Sequence, residues 1–167
     1  MEENEVVLDL SDKKILIVDD NKLNLKVAER LIQKYNPQIE TVESGFECLK
    51  KIEDGNIYDL IFMDDMMPEM SGTETQKKLH ENGYDRPIVV LTANAVAGAR
   101  ENYLKEGFDD YISKPFSMME MVARVKALIR RSEYKHEEKD YTINNLYVCP
   151  IKHLVKVDDR EVVLTLK

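Results

Sequence analysis

Three short apolar runs constrain this chain more than any other feature: Ile15-Leu16-Ile17-Val18, Leu60-Ile61-Phe62-Met63 and Ile88-Val89-Val90-Leu91. None alternates with polar residues, so each reads as a strand covered on both faces. That is the pattern of a parallel sheet between two helix layers, not of an antiparallel sheet with one wet face. Each run stops at a polar residue: Asp19-Asp20, Asp64 and Thr92. Open parallel α/β sheets bind ligands in the crevice at the carboxyl ends of their strands. The polar residues therefore gather where such a fold would build a site.

The intervening segments carry helical spacing. Leu23, Val27 and Leu31 form one stripe, with Ala28 and Ile32 beside it. A weaker strand near Ile39-Glu40-Thr41-Val42 precedes a repeat of Phe46, Leu49 and Ile52. Thr73 to Asn82 closes on Gly83, and Ala99 to Glu106 closes on Gly107, both suited to C-terminal caps. After a short strand, Asp110-Tyr111-Ile112, a last helix starts at the N-cap Ser117. Its apolar face is Met118, Met121, Val122, Val125, Leu128 and Ile129. The order predicts five β–α units, a doubly wound five-stranded parallel sheet with helices on both faces, over residues 12–131.

Beyond Arg131 the chain changes character. Residues 132–139 hold no Leu, Ile, Val or Phe and read as a charged linker. Residues 140–167 turn strand-like, with Tyr141-Thr142-Ile143, Leu146-Tyr147-Val148, Leu154-Val155-Lys156-Val157 and Glu161-Val162-Val163-Leu164. This predicts a short antiparallel segment, too small to be stable alone.

Composition excludes several functions. Lys plus Arg number 24 against 32 for Asp plus Glu, a formal charge of -8, which argues against avid, sequence-independent nucleic-acid binding. Cys48 and Cys149 are too few and too far apart for a disulfide framework or a zinc site. The first residues are acidic where a secretion signal is basic, and no apolar run approaches the ~18 residues of a membrane span. A cytoplasmic protein without membrane contact is expected.

Asp19, Asp20 and Asp64 should meet at the ends of two strands. Clustered carboxylates repel one another unless a cation joins them. All-oxygen ligands suit Mg²⁺, which uses one or two carboxylates and keeps several waters. Asp64 could attack phosphorus to form an acyl phosphate, with Thr92 and Lys114 placed to contact the other phosphoryl oxygens. Asp65 is a second candidate acceptor, although Asp64 directly ends the apolar run and strand alternation should turn Asp65 elsewhere.

The strings Ile17-Val18-Asp19-Asp20-Asn21, Met63-Asp64-Asp65-Met66-Met67-Pro68-Glu69-Met70-Ser71-Gly72, Leu91-Thr92-Ala93-Asn94-Ala95 and Asp109-Asp110-Tyr111-Ile112-Ser113-Lys114-Pro115-Phe116 closely resemble the receiver domain of two-component response regulators. The resemblance implies a flavodoxin-like fold. Asp64 would be the phosphoacceptor for a sensor histidine kinase or phosphotransfer protein. Mg²⁺ would be held by Asp19, Asp20, Asp64 and the Met66 backbone carbonyl. Thr92 would be the switch hydroxyl, Lys114 the phosphate-contacting lysine and Tyr111 the switch aromatic, with a cis peptide before Pro115. Such a domain supports its own phosphorylation and dephosphorylation rather than turning over a substrate. Met66, two residues after the acceptor, cannot orient a hydrolytic water, so slow autodephosphorylation is expected.

The last helix resembles that of the OmpR/PhoB class of winged-helix transcription factors. The resemblance implies a phosphorylation-dependent homodimer through the fourth helix, fifth strand and fifth helix, with Arg100, Asp109, Asp110, Glu120, Arg124 and Arg131 at the pairing positions. Residues 140–167 resemble the opening sheet of the matching effector domain. Base readout needs a recognition helix, so no operator binding is expected of this truncated form. Thr92-Ala93-Asn94-Ala95 and Met67-Pro68-Glu69-Met70-Ser71-Gly72 look more like receivers of hybrid kinases, which leaves open a stand-alone phosphorelay intermediate or docking switch, or a chimera.

Overall fold

The computed structural model describes residues 8–115, 117–136, 141–143, 145–149, 154–158 and 160–161. The chain divides into two compact units, residues 1–129 and 130–167. In the first, β1 (Lys14–Val18), β2 (Gln38–Val42), β3 (Leu60–Asp64), β4 (Ile88–Thr92) and β5 (Asp110–Ser113) form one sheet ordered β2-β1-β3-β4-β5. Every pairing is parallel. This is the doubly wound sheet that the apolar runs predict, and β3 and β4 are buried at every position.

The helices are α1 (Lys22–Gln33), α2 (Gly45–Glu53), α3 (Gly72–Glu81), α4 (Ala99–Glu106) and α5 (Met118–His136). Alternation along each strand splits the core into two layers. Ile15, Ile17, Phe62, Val89 and Leu91 pack with α1 and α5 residues such as Leu25, Ile32, Val125 and Leu128. Leu16, Val18, Ile61, Met63 and Val90 pack on the other face with Cys48, Leu79 and Tyr103. All the helix starts but that of α4 are capped by a side chain. Asn21 serves α1, Ser44 serves α2, and Ser71 with Glu74 forms a reciprocal capping box on α3. Ser117 Oγ accepts the Glu120 N–H at 3.1 Å, as expected of the last N-cap.

Three local expectations need correction. On α1 the buried residues are Leu25, Ala28 and Ile32, whereas Leu23 and Val27 are 68% and 47% exposed. Two apolar stripes compete on this helix, and the one a quarter-turn away wins the core. On α2 the buried positions are Gly45 and Cys48, and Phe46 is exposed. Finally α5 runs to His136, so residues 132–136 of the expected linker are helical. A lack of apolar residues excludes burial, not helix, and this stretch has no Gly or Pro to stop one. Residues 137–139 lie outside the described residues. Leu10, just before the expected boundary, is 2% exposed and donates its N–H to the Tyr35 carbonyl at 2.8 Å.

In the second unit β6 (Tyr141–Ile143), β7 (Leu146–Cys149), β8 (Leu154–Val157) and β9 (Arg160–Glu161) form an antiparallel sheet in sequence order. The strand expected over residues 161–164 falls largely outside the described residues. Among the described residues no helix is long and apolar enough to cross a membrane.

Candidate functional site

Strand register assembles the site. Val18 pairs with Met63 and Asp64 with Leu91, so Asp19, Asp64 and Thr92 emerge side by side at the carboxyl edge. Thr92 pairs with Ser113, which brings Lys114 to the same edge. The Lys114 N–H then donates to the Thr92 carbonyl at 2.7 Å, and the Lys114–Pro115 peptide is cis.

Asp19, Asp20 and Asp64 can each place a carboxylate oxygen within 4.8 Å of the others. Asp19 and Asp64 are 2% and 5% exposed, and Asp20 is open to solvent. Lys114 Nζ reaches Asp19 Oδ2 at 2.6 Å and Asp64 Oδ1 at 3.2 Å. Burial pushes the Asp64 carboxyl above its usual range and the Asp19 charge pushes it further, with Lys114 opposing both. Burial works against the Lys114 ammonium, but its bond to Asp19 and the two carboxylate charges outweigh that and raise its pKa. One lysine thus bridges two of the three clustered carboxylates. The residual negative charge and all-oxygen donor set fit a small hard cation such as Mg²⁺.

The two adjacent aspartates separate cleanly. Asp65 Oδ1 accepts the backbone and hydroxyl hydrogens of Thr73, both at 3.0 Å, and Asp65 Oδ2 accepts the Tyr103 O–H at 2.7 Å. Asp65 therefore faces α3 and α4, while Asp64 faces Lys114 and the other two carboxylates. Gly72 lies against this turn. A Cβ there would collide with the Asp64 carbonyl oxygen and come within 2.9 Å of Asp65 Cα, so only glycine lets α3 start here.

Thr92 is fully buried, and its Oγ1 accepts the Asn94 N–H at 3.1 Å. The half-buried Tyr111 donates its O–H to the Asn94 carbonyl at 2.7 Å. The Met66 side chain is 73% exposed beside the site. Of the six expected pairing residues, the structure brings together Arg100, Asp110 and Arg124. Arg124 Nη1 lies 3.0 and 3.1 Å from the two Asp110 oxygens, and Arg100 Nη2 lies 3.5 Å from one of them. Asp109 is turned inward, accepting the Ile88 N–H at 2.8 Å. Glu120 is half-buried and Arg131 is exposed.

Two polar residues at the site were not anticipated. Asn24 donates its side-chain N–H to Asp19 Oδ1 at 3.2 Å. Its position one turn after Asn21 was the available signal. Tyr103 touches Asp65 and Thr92 from α4, a link between segments distant in sequence that no local pattern announces. A cleft of about 400 Å³ adjoins the acidic cluster, lined on its apolar side by the exposed Leu23 and Val27 together with Pro115.

Known proteins share this fold. The response regulator receiver domain family matches residues 15–126. Response regulator MprA of Mycolicibacterium vanbaalenii is 34% identical over 155 residues, covering 91% of this chain and 67% of MprA. A probable histidine kinase 6 of Oryza sativa is 31% identical over 140 residues, covering 72% of this chain but only 14% of that kinase. The receiver domain of sensor histidine kinase PA1611 from Pseudomonas aeruginosa, with magnesium in its active-site cleft, is 34% identical. It superposes with a TM-score of 0.64 over 71% of this chain and 98% of that one. DrrB, a Thermotoga maritima OmpR/PhoB homologue, shares 25% identity with a TM-score of 0.61, over 92% of this chain and 67% of that one. With the family covering most of the first unit, and similarity to MprA and DrrB reaching into the second, the chain belongs to the response regulator receivers of OmpR/PhoB type.

Proposed function

We propose that the chain takes a phosphoryl group onto Asp64 from a phosphohistidine on a sensor kinase or phosphotransfer protein. The observation that carries this is the Asp64 carboxylate, buried at the carboxyl edge of the sheet and bridged to Asp19 by Lys114. An Asp64 oxygen bonds to phosphorus as the phosphorus–nitrogen bond of the donor breaks. The histidine leaves and takes up a proton, and Asp64 becomes an acyl phosphate. Asp19, Asp20 and Asp64, with the Met66 carbonyl, would hold Mg²⁺, which when bound neutralises phosphoryl charge. Lys114 swings from Asp19 to a phosphoryl oxygen, and Thr92 donates its hydroxyl to another.

Thr92 moving inward vacates space for Tyr111 and reshapes the α4–β5–α5 face. There Arg100 and Arg124, paired with Asp110 within the chain, would re-pair across a homodimer together with Glu120 and Arg131, whereas Asp109 stays turned in on the Ile88 N–H. Residues 12–131 are read as the receiver and 140–167 as the start of a winged-helix effector, whose output would be transcription. The receiver-only similarity to histidine kinases favours a second reading, a phosphorelay intermediate without DNA output. A gel shift on a version carrying a complete effector domain separates the two.

The test is intact-mass spectrometry after incubation with acetyl phosphate and Mg²⁺, beside Asp64→Ala. One Mg²⁺-dependent phosphoryl adduct, absent from the variant, is expected. An adduct that persists in the variant overturns the assignment of Asp64.

A further inference from the structure

Helix α4 is lightly held. Its N-cap, Gly98, offers no side-chain bond, and its buried residues are Ala99 and Tyr103. Tyr103 is 7% exposed, with its ring edge-on to Phe108 and stacked on Tyr111 at a centroid distance of 5.8 Å. Its phenol is the buried polar anchor of the helix. It donates to Asp65 Oδ2 at 2.7 Å, which leaves its lone pairs facing Thr92 Oγ1 at 3.5 Å, the outer limit of a hydrogen bond. Asp65 Oδ1 accepts in turn the Thr73 N–H at the start of α3, and the Thr73 hydroxyl lies between Asp65 Oδ1 at 3.0 Å and Glu106 Oε2 of α4 at 3.1 Å. The residue after the acceptor is thereby connected to α4, to the switch hydroxyl and to the ring beside Tyr111.

We propose that Asp65 and Tyr103 form a latch that holds Thr92 and α4 in the resting arrangement, making Tyr103 a positioning residue of the switch. This rests on Asp64 being the phosphoacceptor. In the phosphorylated form Thr92 turns to the phosphoryl group and gives up Tyr103, and α4 must shift with the face it belongs to. A bond made only in the resting state biases the equilibrium against phosphorylation, and removing it moves the population the other way.

The experiment compares the 167-residue protein with Tyr103→Phe, which keeps the ring and its stacking, with Asp65→Ala, and with the double variant. Phosphorylation by acetyl phosphate with Mg²⁺ is followed by intact mass. Amide hydrogen exchange is recorded without phosphodonor. Tyr103→Phe is expected to phosphorylate about fivefold faster than wild type, the worth of one ordinary hydrogen bond. Exchange should accelerate in α4 and leave α1 and α2 unchanged. The double variant should phosphorylate no faster than the faster single one, because both changes break the same bond. A Tyr103→Phe rate equal to or below wild type, exchange that rises uniformly, or additive effects on the rate would each overturn the latch. If wild type takes no phosphoryl group, the functional reading fails by itself, and the exchange pattern still judges the latch.

Discussion

Two clusters of charge on the same sheet are built to opposite ends. At its edge, Glu40 on β2 accepts from Lys14 Nζ at 2.7 Å, Lys51 Nζ at 2.9 Å and the Tyr58 O–H at 2.7 Å. Hydrogen bonds from Lys14, Lys51 and Tyr58 hold its carboxyl down at about 2. At the carboxyl ends of the strands, Asp19 and Asp64 share Lys114 beside the exposed Asp20, and burial drives Asp64 upward instead. The edge cluster has satisfied its charge and can only stabilise. The cleft has left charge unsatisfied, which destabilises the isolated chain and creates affinity for what arrives: a cation, then a phosphoryl group. A stable ion cluster and a binding site differ here in how many cations they are given: Glu40 has two lysines to itself, whereas Asp19 and Asp64 share one.

The sharpest way to break this contrast is to remove the acceptor. Asp64→Asn should abolish the phosphoryl adduct in intact-mass measurements. It should also raise the melting temperature without Mg²⁺, because the ionised carboxylate is disfavoured in the fold; a lower melting temperature would mean that Asp64 is stabilising after all. Next in size, Lys114→Ala leaves Asp19 and Asp64 facing each other without a cation. Phosphorylation by acetyl phosphate should fall on the order of 100-fold, as when one preorganised donor is lost.

Met66→Asn supplies an amide beside the acceptor at an exposed position. It should shorten the phosphoryl lifetime roughly tenfold, about the effect of a modest general-base or water-orienting group. A wild-type lifetime of only seconds would contradict the slow hydrolysis expected of Met66. Smallest in function, Glu40→Ala should leave the phosphorylation rate unchanged and lower stability by about 2 kcal/mol, since the buried Tyr58 hydroxyl loses its acceptor. The sign with pH is fixed. The Glu40 carboxyl is depressed by folding, so its contribution is complete above pH 4.5 and is lost as pH falls towards 2. Acid titrations of stability for wild type and Glu40→Ala should converge across that interval.

These contrasts were unequally readable from the residues. The strands were plain, because covering both faces of a parallel sheet demands consecutive apolar residues, and Ile88–Leu91 or Leu60–Met63 admit little else. The polar residue ending each run then placed Asp19, Asp64 and Thr92 at one edge, and strand register did the rest. Helix α1 misled because Leu23, Val27 and Leu31 make as good a stripe as Leu25, Ala28 and Ile32. Only packing chooses between them, and it leaves the first pair facing the cleft. The inward turn of Asp109 towards Ile88, and the bonds of Asp65 to Thr73 and Tyr103, depend on partners far along the chain. Periodicity carries no information about such pairs.

Gly72 gives the site a dependence that a list of reactive groups would miss. Its missing side chain is the space into which the backbone of Asp64 fits. A saturation screen scored only for signalling would therefore find position 72 nearly as intolerant as position 64, and would tempt an observer to assign it chemistry. A second score for folding would separate the two: changes at 64 should silence a well-formed protein, and changes at 72 should silence it by displacing the strand end that presents the acceptor.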